Sequence, residues 1–315
     1  MKVLVIVFLF LSAAFGCSFG QNEKPIPSST FEQKKIRTSD GVDLLVRIKG
    51  SGPPCLFVHG GPGTGCHWIE KISDGLLERH FRMIYLDQRG AERSSSPQDG
   101  NYSMEREIED FEQVRKELGI ERWLTMGHSF GGLLQTGYAL RHPEVQQGMI
   151  MLNCSLDLNA SLTGSWIPKA CEFLGVTDPD SFFSGRVSTL ERLQKLVVAL
   201  QERGIFWKMG FASPEAADSV DNCAGDIPDR NVDAQKGMFE TRDYWENFKP
   251  VSTGIETPVL FISGRSDWMA GPDNYKGVKF PNMLLWESQV GHTILLENRP
   301  DLEKALDTFT AKYKF

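Results

Sequence analysis

The chain has 315 residues, 41% hydrophobic and 24% charged, and its 41 acidic and 34 basic side chains leave a net charge of −7. This is an ordinary globular composition with enough apolar residues for a sizeable core, which excludes disorder as the main state. The acidic balance, with no Lys/Arg cluster, lacks the electrostatic footprint that phosphate-backbone binding needs and argues against a nucleic-acid partner.

At the N-terminus, Lys2 precedes nine consecutive apolar residues, Val3 to Leu11, and then the small-residue stretch from Ser12 to Cys17. This pattern predicts a secretory signal over residues 1–20, because the apolar run is too short to cross a hydrocarbon core of about 30 Å. Ala14-Phe15-Gly16 before Cys17 resembles a loose bacterial lipobox. Lipidation of Cys17 with membrane attachment, and ordinary cleavage after Gly16 or Gly20, both follow from the pattern. Either way the chain is expected to be exported, to the periplasm or to a membrane anchor. Residues 21–32, rich in Pro and Ser from Gln21 to Thr30, read as a linker.

From Gln33 onward short apolar runs alternate with helical patterns. Val42 to Ile48, Cys55 to Val58, Met83 to Leu86, Trp123 to Met126, Met149 to Leu152, Val259 to Ile262 and Met283 to Trp286 read as strands, most of them short continuous runs suited to burial on both faces. Trp68 to Arg79, Met104 to Leu118, Phe130 to Arg141 and Asp301 to Lys312 read as helices. The alternation predicts an α/β fold, a doubly wound and mostly parallel sheet built from residues 33–154 and 251–315. Residues 155–250 break it. They carry many aromatics and few strand-like runs, and Ser188-x-x-Glu191 forms a capping box before Leu190, Leu193, Leu196, Val197 and Leu200 at helical spacing. This segment is expected to be a helical insertion. The six cysteines show no metal-ligand spacing; Cys55 and Cys154 read as small buried residues, and Cys171 and Cys223 are the pair to suspect of a bridge.

Chemistry concentrates at strand ends. Gly127-His128-Ser129-Phe130-Gly131 is a G-x-S-x-G sequence after a strand and before a helix, the context in which a tight turn exposes a Ser hydroxyl. A hydroxyl needs a general base, and the base needs an orienting acid, in the chain order Ser, acid, His. His292 lies after the last strand. Asp267 follows the strand beginning at Val259, at the sheet edge where such folds build sites, with Asp157 as the substitute position. His59-Gly60-Gly61-Pro62-Gly63 can bring backbone N–H groups to a developing oxyanion, which assigns the donors to Gly61 and Phe130. No metal or organic cofactor is needed for this chemistry. The missing Gly-Lys-Ser/Thr and G-x-G-x-x-G patterns argue against a phosphate loop.

The set HGGPG at 59–63, Asp87-Gln88-Arg89-Gly90, the elbow at 127–131, Asp267 and His292 resembles the α/β-hydrolase superfamily, and within it the proline iminopeptidase branch of serine peptidases. The resemblance covers nearly all of residues 33–315. It implies an α/β-hydrolase fold with a helical cap, a Ser129–His292–Asp267 triad, and cap carboxylates that hold the free amino group of a short peptide. Here the stretch after DQRG reads Ala91-Glu92-Arg93-Ser94, and the elbow carries His128 and Phe130, which are commoner in esterases and C–C hydrolases. Glu246 with Trp245, Glu240 and Glu92 are the candidates for substrate binding. Three readings stay open: an aminopeptidase releasing Pro or a small apolar residue, an esterase, lactonase or amidase, and a non-catalytic ligand-binding protein. Dehalogenase and epoxide hydrolase chemistry would need an Asp where Ser129 stands.

Overall fold

The computed structural model describes residues 32–183 and 187–315. The proposed signal, Cys17 and all of the 21–32 linker except Glu32 lie outside the described residues. In chain order the strands are β1 (Glu32–Arg37), β2 (Asp43–Lys49), β3 (Pro54–Val58), β4 (Arg82–Asp87), β5 (Trp123–His128), β6 (Gln146–Leu152), β7 (Val259–Gly264) and β8 (Met283–Ser288). They form one eight-stranded sheet in the order β1-β2-β4-β3-β5-β6-β7-β8. β1–β2 and β2–β4 pair antiparallel and every other pair is parallel.

This order fixes where a site can form. The chain steps from β3 outward to β4, then returns across β3 to β5, so the strand order reverses between β3 and β5. At such a switch point the loops leaving the two strands diverge and open a crevice at their carboxyl ends. Val58 pairs with Gly127 in that register, which sets His59–Gly63 beside His128–Phe130.

Side-chain alternation along the strands feeds two cores. Leu56, Val58, Met149, Met151, Val259 and Phe261 point to one face; Cys55, Phe57, Ile150, Leu152, Leu260 and Ile262 point to the other. Around them pack α1 (His67–Ser73), α2 (Leu76–His80), α3 (Met104–Glu117) and α4 (Gly131–Arg141), then α5 (Leu158–Ser161), α6 (Ile167–Leu174), α7 (Pro179–Phe183), α8 (Thr189–Glu202), α9 (Pro214–Gly225) and α10 (Asp233–Glu240), and finally α11 (Ile294–Glu297) and α12 (Arg299–Tyr313). Phe111, Val114, Leu133 and Tyr138 from α3 and α4 complete the first core, together with Leu193, Leu196 and Leu200 of α8. Leu76, Leu77, Leu302 and Phe309 from α2 and α12 complete the second. Among the described residues no helix is long and apolar enough to cross a membrane.

Two elements differ from the sequence expectation. The helix predicted from Trp68 to Arg79 is two helices, because Asp74 and Gly75 adopt left-handed φ values of 45° and 80° and end the first helix there. β1 was not expected: its sequence EQKKIR buries only Ile36, and its charged residues stand in solvent on an edge strand. The capping box ahead of α8 is present, with Ser188 Oγ accepting from Glu191 N at 3.2 Å and Glu191 Oε2 accepting from Ser188 N at 2.7 Å.

Candidate active site

β5 gives way to α4 within two residues, and Ser129 makes the turn at a left-handed φ of 54°. A non-glycine residue is held there only when its surroundings over-determine it. Ser129 N donates to Leu152 O at 3.1 Å, and Ser129 O accepts from Gly132 N and Ser155 N, both at 3.1 Å. The turn also requires bare backbone beside it. A Cβ on Gly131 would lie 2.2 Å from Val58 O, and one on Gly60 would lie 2.5 Å from His128 O. The Gly-rich loop after β3 is thereby seated against the elbow after β5.

Asp267 leaves the end of β7 and is 1% exposed. Its Oδ2 accepts from His292 Nδ1 at 2.9 Å and from Asn153 Nδ2 at 3.1 Å, while Oδ1 accepts from the backbone N–H groups of Met269 and Ala270 at 2.9 and 3.0 Å. Burial alone would raise its pKa, but the charge and hydrogen bond of His292, with the donors from Ala270 and Asn153, outweigh burial and lower it. His292 is fixed through its backbone. Its N–H donates to Gly210 O at 2.6 Å, and its carbonyl accepts from His128 Nε2 at 3.0 Å. Burial, then the adjacent His292, push the pKa of His128 down to about 3, so this imidazole is the neutral Nε2–H tautomer and serves as a donor.

Ser129 and His292 line one cavity of about 130 Å³ together with Gly61. Its apolar wall is Trp68, Phe206, Phe211, Val220 and Met269, and its polar groups include Glu92, Gln235 and Arg230. Glu92 is 5% exposed, at a left-handed φ of 44°. Its Oε2 accepts from His67 N at 3.1 Å and Arg93 Nη2 at 3.0 Å, and Arg93 also binds Asp87 through Nε at 2.7 Å. Two carboxylates thus share one guanidinium. Burial, then the charge of Asp87, push the pKa of Glu92 up to about 8 against the pull of Arg93.

A family model described as the alpha/beta hydrolase fold matches residues 53–299. The chain is an α/β-hydrolase. Among curated relatives, a probable proline iminopeptidase of Streptomyces coelicolor is 36% identical over 171 residues, 48% of this chain and 51% of that protein. A proline iminopeptidase of Saccharolobus solfataricus is 33% identical over 109 residues, 34% of this chain and 35% of that protein. The matched segment therefore spans about a third to a half of these relatives. The crystal structure of a proline iminopeptidase-related protein from Thermus thermophilus superposes with a TM-score of 0.72 at 21% identity, over 89% of this chain and 97% of that one. The likeness in fold extends well beyond the likeness in sequence.

Of the residues the sequence singled out, the α/β-hydrolase brings Ser129, His292, Asp267, Gly61 and Glu92 together. Phe130 is buried, with its ring 5.0 Å from Tyr244 of the inserted segment. Glu240, Glu246 and Trp245 are not at the cavity. Glu240 is exposed at the end of α10, 3.8 Å from Lys236, and Glu246 is exposed after a short 3-10 turn, because that turn directs Tyr244 into the core instead. Trp245 Nε1 donates to Phe239 O at 2.9 Å. Asp157 caps α5, accepting from Ala160 N at 2.9 Å, and is no substitute acid. Cys171 and Cys223 are free buried thiols in separate cores, so the suspected bridge is absent. Sequence reasoning missed Asn153, Gln235 and Arg230. Asn153 carried one available signal, its position directly after β6, beside the strand that bears the acid.

Proposed function

We propose that this α/β-hydrolase is a serine hydrolase working through an acyl-enzyme, and that it is an aminopeptidase releasing an N-terminal Pro or other small apolar residue from short peptides. The observation that carries the chemistry is the buried Asp267–His292 hydrogen bond of 2.9 Å, made behind a cavity that His292 lines together with Ser129. With Nδ1–H committed to Asp267, His292 keeps Nε2 as a base toward Ser129 Oγ. It takes the Ser129 proton as the oxygen attacks the substrate carbonyl, and Asp267 stabilises the imidazolium that forms. The N–H groups of Gly61 and Phe130 stabilise the oxyanion, each contributing about 3 kcal/mol. His292 then protonates the leaving nitrogen, and water, activated by the same base, releases the acyl group from Ser129.

The substrate reading rests on Glu92. An ammonium taken out of water must be paired, and Glu92 is the one carboxylate among the residues lining this cavity. It shares its guanidinium with Asp87 and keeps its proton up to about pH 8 when no other cation is near, so a bound ammonium would favour its ionised form and gain a charged partner. The small apolar wall suits a proline ring or a short side chain. The N-terminal apolar run supports export of the enzyme, and Cys17 is the position at which a lipid anchor would be attached. A second reading, an esterase or lactonase, is favoured by the same apolar wall and by the Arg93 bond that already occupies Glu92.

The two are separated by assaying Pro, Ala and Leu arylamides with free and acylated amino termini beside short aryl esters. The aminopeptidase reading predicts arylamide turnover that is lost when the nitrogen is acylated. Ester turnover with no arylamide cleavage would establish the second reading.

A further inference from the structure

Gln235 lies in the first turn of α10, between the core residues Ala234 and Met238, and is 6% exposed. Its side chain lines the same cavity as Ser129 and His292, and its Oε1 is buried with no hydrogen-bond partner among the described residues. A buried amide oxygen with no donor is uncommon, because the group has given up water and received nothing in exchange. Its place adds meaning. A Cβ built on Gly63 would stand 3.2 Å from Gln235 Cγ, so the side chain abuts the Gly-rich loop two residues beyond Gly61, the assigned oxyanion donor.

We propose that Gln235 is the specificity-determining residue that selects amides over esters, its Oε1 accepting the N–H of the scissile nitrogen. This rests on the reading of Ser129 as the nucleophile. When Ser129 Oγ bonds to the carbonyl carbon, that carbon becomes tetrahedral and the nitrogen loses its conjugation. Its lone pair must then face His292, which delivers the proton, and its N–H is turned to the other side, where it needs an acceptor. An ester oxygen has no hydrogen to offer there. The acceptor is thus satisfied in the amide transition state and left unpaired in the ester one, and a site built to hydrogen-bond a group rejects the analogue lacking it far more strongly than an apolar wall does.

The test uses the purified enzyme and two probes with the same unblocked prolyl or alanyl group, the p-nitroanilide and the p-nitrophenyl ester. The readout is the ratio of their kcat/KM values, which cancels losses of folded enzyme and shared defects in the triad. Gln235→Leu is expected to lower the anilide-to-ester ratio at least tenfold, and Gln235→Glu, which keeps an acceptor oxygen, to hold it within about threefold of the wild type. An unchanged ratio in Gln235→Leu overturns the proposal, and so does an equal fall of the ratio in both variants. Ser129→Ala, run in parallel, reports separately on the nucleophile: anilide turnover surviving in that variant would remove the reading underneath, whatever the ratio does. Should Gln235→Leu not fold, Gln235→Met repeats the comparison with a flexible side chain of similar length.

Discussion

Asp267 and Glu92 are both buried carboxylates, yet their surroundings drive them in opposite directions. Asp267 receives four hydrogen bonds and faces His292, which lowers its pKa. Glu92 shares Arg93 with Asp87, and burial and that neighbour raise its pKa to about 8. The sign of the consequence follows from linkage. Below the unfolded-chain value of 4.5 both states hold the proton; between 4.5 and about 8 the folded state holds it and the unfolded chain does not, so stability is lost as pH rises through that window. Glu92→Gln removes this dependence. The urea midpoint of the wild type relative to Glu92→Gln is therefore expected to fall from pH 5 to pH 8; a constant difference would show that Glu92 titrates normally. The charged residues were legible as types and less so as places. Ser129, His292 and Asp267 carry motif and order, whereas Glu240 and Glu246 have only aromatic neighbours to mark them, and no local pattern tells which way the end of α10 or the short 3-10 turn after it will face them. Asn153 and Gln235 are neutral amides whose roles come only from contacts distant in sequence.

The elements were legible where one physical signal dominated. The central strands β3 to β7 are continuous apolar runs buried on both faces, and the Ser188–Glu191 box marks the start of α8. β1 escaped notice because an edge strand with one buried side chain has no apolar alternation to read. The break between α1 and α2 was concealed because the apolar spacing from Trp68 to Leu77 continues across Asp74-Gly75, and only the left-handed backbone there separates the two helices. The elbow depends on an agreement between elements: β3 and β5 must be neighbours before Gly60 can lie against His128 and Ser129.

At the scale of the molecule, the inserted segment is tied to the loops that hold Asp267 and His292. Trp268 N donates to Met209 O at 3.0 Å and His292 N to Gly210 O at 2.6 Å, so one strut of the insertion braces both loops. Glu92 and Asn231 exchange backbone hydrogen bonds of 2.8 Å in each direction, and Asp226 meets His67 and Lys71 of α1. The insertion thus braces the loops of Asp267 and His292 and also lines the cavity, through Phe206, Phe211 and Gln235. A Cβ on Gly210 would lie 2.9 Å from His292 Cβ and 3.0 Å from Met269 Sδ. Gly210→Ala is expected to displace the His292 loop and lower kcat roughly tenfold with a small change in melting temperature, since misplacement of a reacting group by about 1 Å is costly to rate. Unchanged kcat with normal KM would show that the strut does not position the base.

The most direct test of the whole account is the turnover of an unblocked prolyl arylamide by Ser129→Ala beside the wild type, with melting temperatures measured on the same preparations. The account predicts a normally folded variant whose kcat is lower by at least ~10³-fold. A folded variant retaining activity within tenfold of the wild type would contradict it.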